Sequence, residues 1–292
     1  MNSNTIKNMS GKFKLITTLF LPLGIFLLAG CEKTVDNIKL PTTAPKLVVG
    51  CFISPQDSWI TVTLTRSNPI FGPGHNNTNT LPVEDASVII SDGTNTASIP
   101  FNSLSQQYEM QTSTFPIISG QTYSLTVSTP TGENVSANCT VPASIISALT
   151  VDFTDTASNL KKTTVKWQDI PNEINYYRVV GQIVSIYTPS PGDTIFNDMY
   201  SISNATAYND HEKDGNELYA KLEGSYYEGS EYSLVAYDFY LLHIDGEYYN
   251  YQNSLDHYTY GDPFSEPIPL YTNIRGGLGV FAAYQKLYVR LP

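Results

Sequence analysis

Short apolar segments separated by turn residues recur along the chain from residue 46 onward. In the first half these segments are rich in Val, Ile and Thr, and the turns between them contain Asp92-Gly93 and Thr131-Gly132. Strands of this length and spacing are typical of an antiparallel sandwich. We therefore predict an immunoglobulin-like β-sandwich over residues 46–143. Its best strands are Leu47–Ile53, Trp59–Thr65, Ala86–Ile90, Thr122–Val127 and Asn134–Val141.

The second half has a similar strand pattern but a different composition, because most of the 21 tyrosines lie between Tyr176 and Tyr288. One helix is predicted around Tyr248–Leu255, where large side chains recur at helical spacing and Asp245 is placed to cap the first turn. We predict a mainly β fold in which a Tyr-rich second β domain with one or two short helices, residues 144–292, follows the sandwich. Its best strands are Thr163–Trp167, Tyr176–Tyr187, Leu218–Leu222, Ser233–Leu242 and Gly279–Leu291.

The N-terminus has the pattern of an export signal. Three lysines and no acidic residue precede an apolar run over residues 15–28, which ends in Ala29-Gly30-Cys31. Small residues before a cysteine are typical of the bacterial lipobox, which directs lipidation of the cysteine and cleavage just before it. A transmembrane anchor is the alternative, but the run is shorter than the roughly 20 residues that span a bilayer. We therefore predict a lipoprotein signal peptide over residues 1–30 and a lipidated Cys31.

Charge and composition narrow the classes of partner. Residues 31–45 are polar and contain Pro and Thr, as in a tether that lifts a domain off a membrane.

The formal net charge is −11, and removal of residues 1–30, which carry three lysines, would make it −14. A nucleic-acid binder needs a basic face, so we predict no nucleic-acid partner. An acidic chain is also repelled by anionic lipids, so the lipid on Cys31 must provide the membrane attachment.

Two further cysteines, Cys51 and Cys139, lie in predicted strands of a chain bound for an oxidising compartment. A disulfide between them is the first alternative, and two buried thiols are the second. The sequence leaves both open, because it does not show whether the two Cα atoms come within bonding distance.

Motifs for the common enzyme chemistries are absent from the sequence. It contains no G-x-S-x-G, no H-E-x-x-H, no phosphate loop and no dinucleotide fingerprint, and its four histidines are scattered. We therefore predict a protein that is not an enzyme and has no metal and no cofactor. The segment Asp210–Glu217 places carboxylates before Gly215, as in the first half of a calcium loop, although Lys221 stands where a bidentate Glu is needed. A solvated acidic turn explains the same residues.

The tyrosine-rich half has two interpretations. Tyr is a good strand residue that packs half-buried on a sheet, which explains its frequency without any ligand. Its ring also offers flat apolar contact with a polar tip, which suits a sugar-binding surface.

Several motifs occur in an order that covers the mature chain. After Cys31 they are Lys46–Val49, Val83–Val88 with Asp92-Gly93, Gly120–Leu125, Ala137 with Val141-Pro142, Asp262–Pro267 and Asn273–Phe281. In this order the chain resembles the Bacteroidota lipoprotein family catalogued as domain of unknown function 4249. The resemblance implies an outer-membrane lipoprotein encoded near TonB-dependent transporters, and it supplies no established catalytic residues.

Two functional hypotheses follow. The first is an accessory binding or scaffolding lipoprotein that serves a TonB-dependent transporter. The alternative is a surface glycan-binding module or extracellular hydrolase, with the Tyr-rich domain as its surface. Both place the chain at the outer membrane through a lipid anchor. Surface-exported lipoproteins of this phylum carry an acidic cluster just after the cysteine, whereas here three residues, Lys33 to Val35, separate Glu32 from Asp36. Between the two faces of the membrane we favour the cell surface over the periplasmic face.

Overall fold

The described part of the chain begins just before the first predicted strand. The computed structural model describes residues 44–68, 81–155, 160–187, 193–202, 206–226, 229–258 and 269–292. The predicted signal peptide, Cys31 and most of the tether over residues 31–45 lie outside these ranges, and so does Asp262–Pro267. Within the described ranges, no helix combines the length and the apolar character needed to cross a bilayer.

The first half forms the predicted immunoglobulin-like sandwich. Its strands are β1 (Leu47–Ile53), β2 (Trp59–Arg66), β3 (Ser87–Ser91), β4 (Thr96–Ser98), β5 (Phe101–Asn102), β6 (Gln107–Gln111), β7 (Thr122–Ser128) and β8 (Asn134–Thr140). One of its sheets has the strand order β5-β6-β2-β1 and the other has the order β4-β3-β7-β8. Strict alternation explains the strands, since in β8 the side chains of Val135, Ala137 and Cys139 are buried and their neighbours are exposed.

A buried tyrosine at the start of β7 connects this strand to the loop that precedes it. The Tyr123 hydroxyl donates to the Pro116 carbonyl oxygen at 3.1 Å and accepts from the Ile118 N–H at 2.7 Å. A buried tyrosine that bonds to backbone a few residues upstream is the tyrosine corner of immunoglobulin-like folds. Tyr123 packs in a core that lies between the two sheets and is mainly aliphatic.

The second half forms one curled sheet rather than two separate ones. Its elements are β9 (Leu149–Asp155), β10 (Leu160–Gln168), β11 (Tyr176–Tyr187), β12 (Thr194–Ser201), β13 (Ala207–Asn209), β14 (Glu217–Ser225), β15 (Tyr232–Ile244), α1 (Gly246–Asp256) and β16 (Leu278–Leu291). The strand order is β16-β15-β11-β12-β14-β10-β9, and β13 also pairs with β11, on the same edge as β12. The sheet folds over its own core, because Phe153 of the edge strand β9 contacts Tyr237 of β15, with ring centroids 4.8 Å apart.

The predicted helix is confirmed as α1. Asp245 is its N-cap, and the Asp245 carboxylate accepts from the Tyr248 N–H at 2.9 Å. Tyr248 and Gln252 are the buried residues of the helix, whereas Leu255 is 38% exposed. The helix therefore packs on the sheet through a narrower face than the predicted spacing suggested.

The last strand joins the two halves. The first part of β16 pairs in parallel with β1, and its second part pairs antiparallel with β15. Phe281 and Ala283 of β16 belong to the core of the first sandwich, whereas Leu287 and Leu291 pack against the second core. A single sheet of 12 strands therefore runs through the described residues. The domain boundary at residues 143–144 stays a prediction.

Glycines allow β16 to approach β1 closely. Gly279 has a φ of +102°, and a Cβ atom at this position would lie 2.0 Å from the Val49 carbonyl oxygen. Just before the strand, the side-chain amide of Asn273 donates to the Phe281 carbonyl at 2.7 Å and accepts from the Phe281 N–H at 3.0 Å. The Asn273–Phe281 motif is thus the connection that places the final strand.

Candidate ligand-binding cleft

One face of the long sheet brings together aromatic residues that are distant in sequence. The register of β11, β15 and β16 places Tyr240 between Val180 and Tyr288. It also places Leu242 between Arg178 and Lys286. Successive residues of a strand point to opposite faces, so these side chains share the face that points away from the second core. Helix α1 covers one end of that face.

A cleft opens on this face beside α1. Its volume is about 370 Å³, within the roughly 300–1,000 Å³ range of small-molecule sites. Leu242 and Tyr248 are buried, and the other lining side chains are half-buried. The lining residues come from β1, β11, β15, α1 and β16, and they are Phe52, Val180, Tyr240, Leu242, Tyr248, Tyr284 and Lys286.

The aromatic rings of the cleft form two groups. On one side the Tyr248 ring lies 4.6 Å from Phe52 and 6.1 Å from Tyr284, centroid to centroid, in tilted and edge-on contacts. On the other side Tyr240 and Tyr288 stack at 5.0 Å. Such contacts hold the rings in fixed orientations, so the cleft walls are preformed.

Charged groups around the cleft are paired. The Tyr284 hydroxyl donates to one Asp57 oxygen at 2.6 Å, and Lys286 Nζ donates to the other at 2.7 Å. Burial and the bond to Asp57 raise the pKa of Tyr284 far above its usual value, so this phenol stays protonated. On the opposite side Asp238 accepts two bonds from Arg290, and this pairing lowers the pKa of Asp238.

Two tyrosine hydroxyls of the cleft have hydrogen-bonding capacity left. Arg178 Nη1 donates to the Tyr248 hydroxyl oxygen at 2.9 Å, which leaves the phenolic proton of Tyr248 to donate. The Tyr240 hydroxyl has no hydrogen bond to any other described residue. The cleft thus combines apolar walls with a few oriented polar groups, as small-molecule sites do.

Helix α1, which carries Tyr248, is fixed at both ends. Near its start, the Tyr271 hydroxyl donates to Glu247 at 2.5 Å. At its last residue, Asp256 accepts from the Thr206 N–H at 2.9 Å. Burial raises the pKa of the N-cap Asp245 to about 7. These contacts keep one wall of the cleft in place.

A separate cluster of carboxylates lies at the turn that was predicted as a possible calcium loop. Asp210 and Asp214 of that turn come together with Asp169, and their ligand oxygens all lie within 4.8 Å of one another. Asp169 and Asp210 are each only 2% exposed. Sequence reasoning missed Asp169, because it follows β10 and no local pattern links it to the turn. Carboxylate oxygens in this arrangement are the ligand type that calcium prefers.

The same carboxylates join two loops by hydrogen bonds. Asp169 accepts from the Tyr177 hydroxyl at 2.6 Å and from the Gly215 N–H at 2.7 Å. Asp210 accepts from the Asn175 N–H at 2.9 Å. The cluster therefore has a role in loop closure, with or without a cation.

The two cysteines predicted as alternatives for a disulfide or for buried thiols lie in the first core. Cys51 and Cys139 are free and buried there, and burial raises the pKa of both thiols. Formation of a disulfide between them stays a prediction. Among the histidines, buried His243 faces the Ser144 carbonyl oxygen at 2.9 Å and so fixes the segment that joins the two halves. His75 lies outside the described residues.

One comparison with known proteins shows the family of this chain, and none shows an activity. A family model described as "Domain of unknown function (DUF4249)" matches residues 34–288. A two fibronectin type-III domain segment from chicken tenascin is 13% identical with a TM-score of 0.19, covering 70% of this chain and 93% of that one. Chitinase ChiA74 from Bacillus thuringiensis is 12% identical with a TM-score of 0.18, covering 68% and 29%. Both likenesses are too distant to carry an argument. No curated protein matches the sequence.

Proposed function

The chain belongs to the family described as domain of unknown function (DUF4249), and we propose that it is a lipid-anchored outer-membrane lipoprotein that serves a TonB-dependent transporter. In this role it is a binding or scaffolding partner and not an enzyme. The observation that carries the proposal is β16, which pairs with β1 on one side and β15 on the other. A strand shared by both cores resists bending between them, which suits a scaffold.

The start of the fold is compatible with attachment through Cys31. The Ser67 N–H donates to the Lys46 carbonyl at 2.9 Å, so the chain is fixed from this point onward. Residues 31–45 can extend over at most about 50 Å. The folded part would thus stay within reach of a barrel protein in the same membrane. We place it on the cell-surface side of that membrane.

The outer face of β12 offers a contact surface for a protein partner. Tyr200 is 71% exposed and Phe196 is 56% exposed. The two rings flank a shallow pocket of about 440 Å³ with Asp198 and Glu223. Exposed aromatic residues are enriched at protein interfaces, where they often contribute most of the binding energy.

The alternative of an extracellular hydrolase has less support. Glycoside hydrolysis uses one carboxylic acid with a raised pKa beside a second carboxylate. Two acidic residues near the cleft, Asp57 and Asp238, are instead ion-paired with Lys286 and Arg290. A third, Asp245, has a raised pKa, but it is the N-cap of α1, where it accepts from the Tyr248 backbone N–H. The bonds from Arg290 lower the pKa of Asp238, so this carboxylate does not act as a general acid at neutral pH.

Co-purification tests the proposal. The full-length chain with a C-terminal tag would be extracted from native outer membranes in mild detergent, and its partners identified by mass spectrometry. We expect a stoichiometric TonB-dependent transporter, reduced in the Cys31→Ser variant and in a Phe196→Ala/Tyr200→Ala double variant that remains lipidated. Recovery of membrane-bound protein without a transporter would contradict the proposal.

A further inference from the structure

We propose that the cleft between Tyr240 and Tyr284 binds a neutral saccharide. In this arrangement the apolar face of a sugar ring packs against the aromatic walls, and its hydroxyls bond to the phenols and to Lys286. The inference deepens the proposed binding role and rests on it, and it names the class of ligand that the cleft would bind.

Aromatic rings line both sides of the cleft and offer flat contact area to a sugar ring. Phe52, Tyr248 and Tyr284 form one wall, and Tyr240 with Tyr288 forms the other. Tyr288 is 46% exposed, so the second wall continues onto the open sheet beyond the cleft. A ring with apolar C–H faces can lie against such walls, since aromatic side chains offer rigid flat contact area.

The polar groups of the cleft include both hydrogen-bond donors and acceptors. Tyr284 gives its proton to Asp57 and so presents an oxygen that accepts. Tyr248 accepts from Arg178 and so presents a proton. Lys286 uses one of its three N–H groups for Asp57. Donors and acceptors thus lie within one cleft, as a hydroxyl-rich ligand requires. A lipid chain would cover these groups without bonding to them, which is unfavourable.

Charge selects a neutral ligand. The ionic group in the lining, Lys286, is neutralised by Asp57, and Asp238 beyond Tyr288 is neutralised by Arg290. Arg178 is not part of the lining and reaches it through its bond to the Tyr248 hydroxyl. The chain as a whole has a net charge of −11, which disfavours acidic polysaccharides.

Binding measurements test this inference directly. Full-length protein in a detergent without a sugar head group would be titrated calorimetrically with maltohexaose, cellohexaose, mannohexaose, xylohexaose, chitohexaose and, as the acidic contrast, oligogalacturonate. We expect at least one neutral oligosaccharide to bind with a Kd below about 10 mM. Tyr240→Ala should weaken that binding about tenfold or more. The matched control is Tyr219→Ala, which removes a half-exposed tyrosine of β14 and should leave binding unchanged.

Each other outcome contradicts the inference. No binding of any neutral oligosaccharide would overturn it, as would equal binding by Tyr240→Ala and the parent chain. Binding of oligogalacturonate alone would show an acidic-sugar site instead. The co-purification experiment separates this inference from the proposed function. Recovery of a transporter without saccharide binding would support the proposed function and contradict this inference. Saccharide binding without a transporter would support this inference and contradict the proposed function.

Discussion

The two halves of the molecule build their cores from different sets of side chains. The first sandwich closes two sheets over a core dominated by Leu, Ile and Val. The second half curls one sheet over a core with a larger share of aromatic residues, among them Trp167, Tyr177 and Phe239. It also buries Asp169, Asp210 and other polar side chains with hydrogen-bond partners. The difference shows that the first half is organised for packing and the second for specific polar contacts, and most of the cleft lies in the second.

The largest expected effect concerns the strand that both halves share. In Gly279→Ala the added Cβ would lie 2.0 Å from the Val49 carbonyl oxygen, at a φ of +102°. We expect the free energy of unfolding to fall by about 4 kcal/mol or more, because β16 must move away from β1. Urea unfolding followed by circular dichroism measures this loss.

The control for that variant is Gly93→Ala. Gly93 also has a positive φ, +91°, but nothing lies within 4 Å of an added Cβ. Its cost should be only the backbone strain of about 1–2 kcal/mol. Equal losses in the two variants would show that close approach between β16 and β1 is unimportant.

A smaller effect should distinguish the two cores directly. Tyr177→Phe removes the hydroxyl that bonds to the buried Asp169 carboxylate, with an expected cost of about 2–3 kcal/mol. Tyr123→Phe removes a hydroxyl that bonds only to neutral backbone groups, with an expected cost of about 1 kcal/mol. Chemical unfolding of both variants tests the comparison. A larger loss for Tyr123→Phe would reverse the proposed difference between the halves.

The smallest effect is a dependence of stability on pH. Burial raises the pKa of Asp245 from 3.8 to about 7 in the folded chain. Between these values the folded state keeps a proton that the unfolded state has released, so the contribution of Asp245 to stability falls as pH rises. We expect this loss to be about 2 kcal/mol between pH 4.5 and pH 6. The negative charge of nearby Glu247 also raises the pKa of Asp245.

Asp245→Asn isolates this contribution. Asn is also a good N-cap, so the variant keeps the bond to the Tyr248 N–H and removes the titration. Burial lowers the pKa of His243 from 6.5, so its protonation destabilises the folded chain as pH falls below that value. His243 is present in both chains, and the difference between their urea midpoints at each pH therefore reports Asp245. A constant difference from pH 4 to pH 7 would contradict the expectation.

Local patterns were sufficient for much of the fold. Strands β1 and β11 have the predicted bounds, because runs rich in β-branched and aromatic residues define them. Strand β4 was not predicted, because Thr96–Ser98 is a short polar edge whose pairing depends on its neighbour β3. Strand β6 was not predicted either, although Tyr108 and Met110 alternate with polar residues in it.

The cleft was predictable only in part. The abundance of Tyr in the second half indicated a candidate surface, but not which tyrosines form it. Phe52, from the other half of the sequence, gave no signal at all. The acidic turn was recognised through Asp210 and Asp214, whereas Asp169 joined it only after folding.

The mainly β character, the first sandwich and the capped helix follow from the amino-acid sequence, which also predicts the export signal and lipidation at Cys31. These features depend on side-chain periodicity, turn residues and short motifs, which are local. The tertiary structure alone decided that β16 pairs with β1 and that Phe52, Tyr240 and Tyr284 line one cleft. Pairing between strands more than 200 residues apart depends on complementary faces and close backbone approach, for which a single sequence contains no local signal.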